Sequence, residues 1–275
     1  MDLRKLGQRV LVAMFGAPLI IFVILKGGWP LVALALIINL RSQYEFYRLT
    51  EAKGMLPFKI LGLIGTVLIT ISFYLYGLEK LWLIVTMLFY VTLLLELFRN
   101  NGSATLNVSA TTWGFFYPTC FFGFHILIRE LPRSLQLDYA VGGSWLLLML
   151  LTIWICDTAA YFVGSMLGKH KLYQRVSPHK TVEGAIAGFI FAILTAYVLH
   201  VTYVKSIDLH HCLIIGVMIG VMSQIGDLVE SVFKRDVGVK DTAAILPGHG
   251  GFLDRFDAPL FVAPLMYLYL RYIVF

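Results

Sequence analysis

Residues 231–257 read SVFKRDVGVKDTAAILPGHGGFLDRFD and lie between two long apolar segments. The stretch carries Lys234, Arg235, Lys240 and Arg255 beside Asp236, Asp241, Asp254 and Asp257, with a Pro-Gly-His-Gly-Gly turn at Pro247 to Gly251. Charged, glycine-rich backbone is not accommodated in hydrocarbon. It must therefore lie at a membrane face, in contact with water. Carboxylates suit hard cations such as Mg²⁺, and Lys, Arg and glycine-exposed backbone N–H groups suit phosphates. The two together predict a polar, phosphate-bearing ligand.

The surrounding composition fixes the class. The chain has 275 residues, of which 59% are hydrophobic and 14% charged, against about 25% charged in a soluble globular protein. That excludes a soluble domain and predicts an all-α polytopic integral membrane protein. Cys120, Cys156 and Cys212 all fall in apolar runs and read as small buried hydrophobes, without disulfide or metal spacing. The simplest organisation is one polytopic domain over 1–275, with N-terminal spans over about 1–140 and a catalytic part over about 144–275.

A spanning helix needs roughly 20 apolar residues. Nine segments approach this, at about 10–26, 29–47, 58–76, 80–98, 108–128, 144–166, 183–203, 209–233 and 257–275. The first follows Arg4, Lys5 and Arg9 but has no small-residue cleavage site, so it reads as a retained helix. With the N-terminus in the cytoplasm, sixteen of the 22 Lys and Arg residues fall on inside segments. Without the 167–182 and 234–256 loops the count is eight against six, which leans the same way. Both polar loops are therefore expected to face the cytoplasm.

Two constellations carry chemistry. In the first, Asp227, Glu230, Ser231 and Lys234 are spaced to share one face of the eighth span. Acids near the end of a span must be solvated, paired or bound to a cation. An interfacial salt bridge from Asp227 or Glu230 to Lys234 is one reading. The other adds Asp254 and Asp257: if the loop folds back, Asp227, Asp254 and Asp257 converge on one or two divalent ions. Lys240 and Arg255 stand next to acids there, and such a mixed cluster suits a metal–phosphate complex. The Pro247–Gly251 turn allows positive φ and close backbone approach. It is either an ordinary tight turn or a phosphate or ribose rest, with His249 at its centre.

The second constellation runs from Asp157 to Gly184. Asp157, Tyr161 and either Gly164 or Ser165 share a helix face, and Gly164 and Gly168 allow close helix packing. A basic loop follows, with Lys169, Lys171, Arg175 and Lys180, and Ser177-Pro178 ends any helix before it. Ser177 and Thr181 offer hydroxyls beside Lys180, at the N-terminus of the next helix, where an anion is favoured. A solvated positive-inside loop explains the cations equally well. It does not explain Asp157, an acid within an apolar span.

The pattern S-x-x-K-R-x4-K-D-x5-P-G-H-G-G-x2-D-R-x-D resembles the signature of the phosphatidate cytidylyltransferase, or CDP-diacylglycerol synthase, family. Ser231, Lys234, Arg235, Lys240, Asp241, Pro247, Gly248, His249, Gly250, Gly251, Asp254, Arg255 and Asp257 meet its 13 fixed positions over 27 residues. The upstream D-T-A-A-Y-x2-G-x3-G-K and S-P-x-K-T-x-E-G elements resemble the family too. Val182 departs from it, standing where an aromatic residue is frequent. The resemblance implies that CTP and phosphatidate give CDP-diacylglycerol and pyrophosphate, with Mg²⁺ and a K⁺ ion in a paired site. It also implies that Asp227, Asp254 and Asp257 are the metal carboxylates.

On that reading Asp227, Lys240, Asp254, Arg255 and Asp257 are the catalytic set. Ser177, Lys180, Thr181, Ser231, Lys234, Arg235, His249 and Asp157 contact substrate. The expected partners are CTP, phosphatidate and the bilayer, with no nucleic acid; a homodimer is compatible with the sequence. Two rivals remain at this stage. A transporter of a phosphorylated solute would cluster its polar groups at the bilayer midplane, not at the ends of spans six to nine. A CTP-dependent lipid kinase shares the nucleotide but not the full signature.

Overall fold

The structure, a computed structural model, describes the backbone of residues 3–243 and 250–275, and side chains from residue 14 onward. It is almost entirely helical, as expected. The α-helices are α1 (Leu3–Lys26), α2 (Gly28–Ala52), α3 (Lys59–Tyr76), α4 (Leu81–Leu97), α5 (Ala104–Gly114), α6 (Phe121–Ser134), α7 (Ala140–Leu167), α8 (Val182–Thr202), α9 (Leu209–Asp236) and α10 (Leu253–Tyr269). A π-helical stretch, Phe115–Cys120, joins α5 to α6, and another, Leu270–Val274, follows α10. Pro118 lies in the first of these; it withholds an N–H and so loosens the helical ladder.

Every expected span falls on a helical segment. By length and composition alone, α3, α7, α8 and α9 are long and apolar enough to cross a membrane. Of the others, α4 and α10 are too short for that measure, at 17 residues each, and the second expected span is interrupted by charge. Its helix, α2, carries Arg41, Glu45, Arg48 and Glu51.

The chain divides into two compact units, Met1–Leu127 with Asp236–Phe256, and Ile128–Arg235 with Asp257–Phe275. The stretch Asp236–Phe256, grouped from sequence with the C-terminal catalytic part, thus belongs with the N-terminal helices. The divisions fall within α6, near the end of α9 and within α10.

The first unit is held by polar contacts along α2. Tyr47 is fully buried; its hydroxyl donates to the Thr111 carbonyl at 3.0 Å and accepts from Gln43 Nε2 at 3.1 Å. Gln43 Oε1 accepts from Thr66 at 2.6 Å, and Asn39 donates to Thr70 at 3.1 Å. Lipid supplies little hydrophobic drive between helices, so such bonds and close packing take its place. Glycine makes the packing possible: a Cβ on Gly62 or Gly114 would stand 2.0 Å from the Tyr47 ring or hydroxyl.

In the second unit small residues bring the helices together. A Cβ on Gly184 of α8 would lie 2.6 Å from the Ala160 carbonyl of α7, and one on Gly226 of α9 would lie 2.9 Å from the Asp257 carbonyl of α10. Between α7 and α8 runs an antiparallel hairpin, β1 (Lys171–Tyr173) and β2 (Ser177–Thr181), pairing Lys171 with Thr181 and Tyr173 with Ser177. The sequence reading has a basic loop here. Lys169, Lys171 and Arg175 obscure the short strands, and strand pairing is set by register rather than by composition.

Candidate active site

The second unit assembles one charged group from three helices and the hairpin. Asp227, on α9, pairs with Lys180, at the end of β2, with Oδ2 and Nζ 2.5 Å apart. Ser231, one turn on, donates to Asp227 Oδ1 at 3.4 Å. Asp157, from α7, lies within the electrostatic reach of both Asp227 and Lys180. Asp257, from α10, is within hydrogen-bonding reach of Glu230 and within the electrostatic reach of Asp227 and Lys234. Glu230 and Lys234 are themselves paired at 3.2 Å.

The two ion pairs differ in exposure, and so in role. The Glu230 and Lys234 side chains are 0% and 10% exposed, so this pair is internal to the unit. The Lys180 and Asp227 side chains are 28% and 38% exposed, so a water-borne ligand can reach them. The salt bridge expected from Asp227 or Glu230 to Lys234 therefore forms from Glu230, while Asp227 takes Lys180. Arg235, expected at the substrate, donates from Nε to the Val176 carbonyl at 3.2 Å and ties the hairpin to α9.

Thr181 and Ser177 also acquire positions. Thr181 caps α8, its hydroxyl oxygen accepting from the Gly184 N–H at 3.2 Å, which satisfies an orphan donor of the first turn. Its buried side chain leaves no room for a Cβ at Gly168, which would lie 2.6 Å from Thr181 Cγ2. Ser177 opens β2, three residues before Lys180.

The loop residues lie in the first unit. Asp254 Oδ2 accepts from the Thr242 N–H at 2.9 Å and the Gly251 N–H at 2.8 Å, and lies 2.9 Å from the Thr242 hydroxyl oxygen. Gly250 has a φ of 77°, a left-handed conformation natural only to glycine. Lys240 and Arg255 are exposed. Pro247, Gly248 and His249 lie outside the described residues, and the readings placed on His249 rest on sequence alone.

One residue escapes the sequence reading altogether. Glu45, from the middle of α2, accepts from the Phe252 N–H at 3.0 Å, the Leu253 N–H at 2.9 Å and the Thr242 hydroxyl at 2.9 Å. The available signal is Glu45 itself, an acid inside the 29–47 span, of the same kind as Asp157.

The donor set suits a hard divalent cation. Asp157, Asp227, Glu230 and Asp257 face Lys180 and Lys234, leaving more carboxylate than ammonium among oxygen ligands. Among the described residues no group of three or more His, Cys, Asp and Glu side chains is arranged to hold a metal alone. Mg²⁺ commonly takes one or two carboxylates and completes its shell with water and substrate phosphates. Of the three expected metal carboxylates, Asp227 and Asp257 lie within one unit and within each other's electrostatic reach. Asp254 belongs to the other and there organises the loop. A cavity of about 580 Å³ lies along α4 and α5 and is lined by none of these residues.

Comparison with known proteins gives the family. The model of the cytidylyltransferase family matches residues 7–273. A phosphatidate cytidylyltransferase of Bacillus subtilis is 34% identical over 96% of this chain and 97% of its own. Relatives of the same name match locally: that of Staphylococcus saprophyticus is 47% identical over 46% of this chain and 48% of its own, and that of Staphylococcus aureus is 45% identical over the same shares. The chain belongs to the cytidylyltransferase family. It is an integral membrane nucleotidyltransferase, the class that the signature resembles.

Proposed function

We propose that this protein transfers CMP from CTP to phosphatidate, giving CDP-diacylglycerol and pyrophosphate. The observation that carries the reading is the accessible Lys180–Asp227 pair flanked by Asp157 and Asp257, on helices long and apolar enough to span a bilayer. A lipid phosphate and a nucleotide triphosphate meet where such a group borders water.

A phosphate oxygen of phosphatidate attacks the α-phosphorus of CTP. A new P–O bond forms, the bond to the β-phosphate bridging oxygen breaks, and pyrophosphate leaves with that electron pair. The phosphate nucleophile is already anionic, so no general base is required. The protein supplies alignment and charge. Asp227 and Asp257 would hold Mg²⁺, with K⁺ in a paired site implied by the family resemblance. When bound, the divalent ion neutralises triphosphate charge and stabilises the leaving pyrophosphate. Lys180 stands beside Asp227 and so beside any phosphate bound there. Lys240 and Arg255 add positive charge, and Arg255 offers a bidentate fork. Ser177 and Ser231 are the proposed hydroxyl contacts, and Asp254 and Thr242 shape the loop. The excess of cations on the loops at 167–182 and 234–256 supports a cytoplasmic site.

The test uses purified protein in detergent with phosphatidate and CTP labelled, in parallel reactions, at the α- or the γ-phosphate. The α-label should appear in CDP-diacylglycerol, with loss of product on omission of Mg²⁺. Transfer of a γ-label to lipid instead would make the protein a kinase, and no transfer of either label would remove the reading.

A further inference from the structure

We propose that Glu45 is the positioning residue for the signature loop, locking both ends of the Thr242–Leu253 stretch from α2. The inference deepens the reading above and rests on it for its kinetic consequence. Glu45 is 1% exposed, on a helix whose neighbouring Phe46 and Tyr47 are also buried. A carboxylate so placed is costly unless its oxygens are satisfied. They are satisfied by the loop: Oε1 accepts from Phe252 N–H, and Oε2 from Leu253 N–H and the Thr242 hydroxyl.

The geometry is reciprocal. Phe252 immediately precedes α10 and Leu253 opens it, so their N–H groups are unpaired within the helix and lie at its positive end, where a carboxylate is favoured. Ordinarily the chain caps itself with a residue just before the helix; here the cap comes from α2, over 200 residues away. Asp254 performs the complementary task, binding the Thr242 and Gly251 N–H groups. The Thr242 hydroxyl lies 2.9 Å from each carboxylate and has one proton to give. Two carboxylates thus clasp four backbone N–H groups of two separated stretches, with one hydroxyl between them. Gly251 completes the clasp by absence, because a Cβ there would lie 2.2 Å from Thr242 Oγ1 and 2.3 Å from Glu45 Oε2. Lys240 precedes the clasp by two residues and Arg255 follows it by two, so fixing the clasp fixes the backbone from which both cations project. Buried as it is, Glu45 acts through the loop and not on substrate.

Glu45→Gln keeps the side chain's size but sets an NH₂ against backbone donors. Two measurements test the role. In folded, monodisperse detergent-solubilised protein, trypsin should cut after Lys240 at least about tenfold faster in Glu45→Gln, the scale of losing a hydrogen bond to a charged group. Cutting after Arg175 in the hairpin should be unchanged. This readout needs no enzymatic activity, so it stands even if phosphatidate proves not to be the acceptor. In the transfer assay, Glu45→Gln should raise the KM for CTP and lower kcat about 10- to 100-fold while the Mg²⁺ midpoint at saturating CTP stays put. Glu45→Asp should recover part of the loss. Combining Glu45→Gln with Thr242→Ala should cost no more than Glu45→Gln alone, since both act on one clasp. Unchanged cutting after Lys240, or strictly additive kinetic losses, would overturn the proposal.

Discussion

Lys180 Nζ lies 2.5 Å from Asp227 Oδ2, joining the end of the hairpin to the C-terminal half of α9. The ammonium takes one oxygen of the carboxylate, so on the proposed reading it holds Asp227 in place and competes with a metal for it. Lys180→Met should therefore have opposite effects on two quantities. Turnover should fall at least about tenfold through lost phosphate neutralisation, while the Mg²⁺ concentration for half-maximal rate falls. A Mg²⁺ titration at saturating CTP checks this, and a higher Mg²⁺ requirement would show that Lys180 does not compete.

Asp257 and Asp254, three residues apart in sequence, are predicted to fail differently. Asp257 lies within reach of Asp227 and Glu230, so Asp257→Asn should shift the Mg²⁺ dependence to higher concentration and lower kcat about 100-fold. Asp254 binds Thr242 and Gly251, so Asp254→Asn should chiefly raise the KM for CTP. Paired titrations, CTP at fixed Mg²⁺ and Mg²⁺ at fixed CTP, separate the two. Reversed phenotypes would reverse the assignments.

Membrane orientation gives a third prediction. Gln174 is exposed in the turn of the hairpin. The native Cys120, Cys156 and Cys212 are buried and free, so a cysteine-free background is expected to fold. A cysteine introduced at Gln174 should react with an impermeant thiol reagent in inside-out vesicles and stay unlabelled in intact cells. Labelling of intact cells would place the hairpin outside.

Much of this was legible in the sequence, and the exceptions share a cause. Apolar runs of spanning length locate helices because lipid forces the backbone to satisfy itself locally. The spacing of Asp227, Glu230, Ser231 and Lys234 puts them on one face by helical geometry alone. Which acid takes which cation is a tertiary matter: Lys234 takes Glu230, one turn away, and Lys180 reaches Asp227 from the hairpin. Glu45 was illegible as a partner of Thr242 and Leu253 for the same reason. Its burial in an apolar span announces that something must satisfy it, but not what. Arg235 and Thr181 look like phosphate ligands by type; what the sequence does not show is that one also anchors Val176 and the other caps α8.

The close approach of α9 to α10 supplies the last prediction. Gly226 immediately precedes Asp227, and a Cβ there would lie 2.9 Å from both the Asp257 carbonyl and Phe261 Cβ. Neither neighbour is the far end of a flexible chain, so Gly226→Ala must push α10 away from α9. Overpacking of this kind costs about 1–3 kcal/mol, and the displacement falls on the two carboxylates proposed to share the metal. Gly226→Ala should lower the Tm in detergent by several degrees and raise the Mg²⁺ midpoint. Gly216→Ala, on the same helix against Ala196 and Ile193, should lower the Tm comparably while leaving the Mg²⁺ midpoint unchanged. Thermal unfolding and Mg²⁺ titration of both variants make the comparison. Equal shifts of the midpoint would mean that it follows general destabilisation, and that the seam at Gly226 does not set the spacing of Asp227 and Asp257.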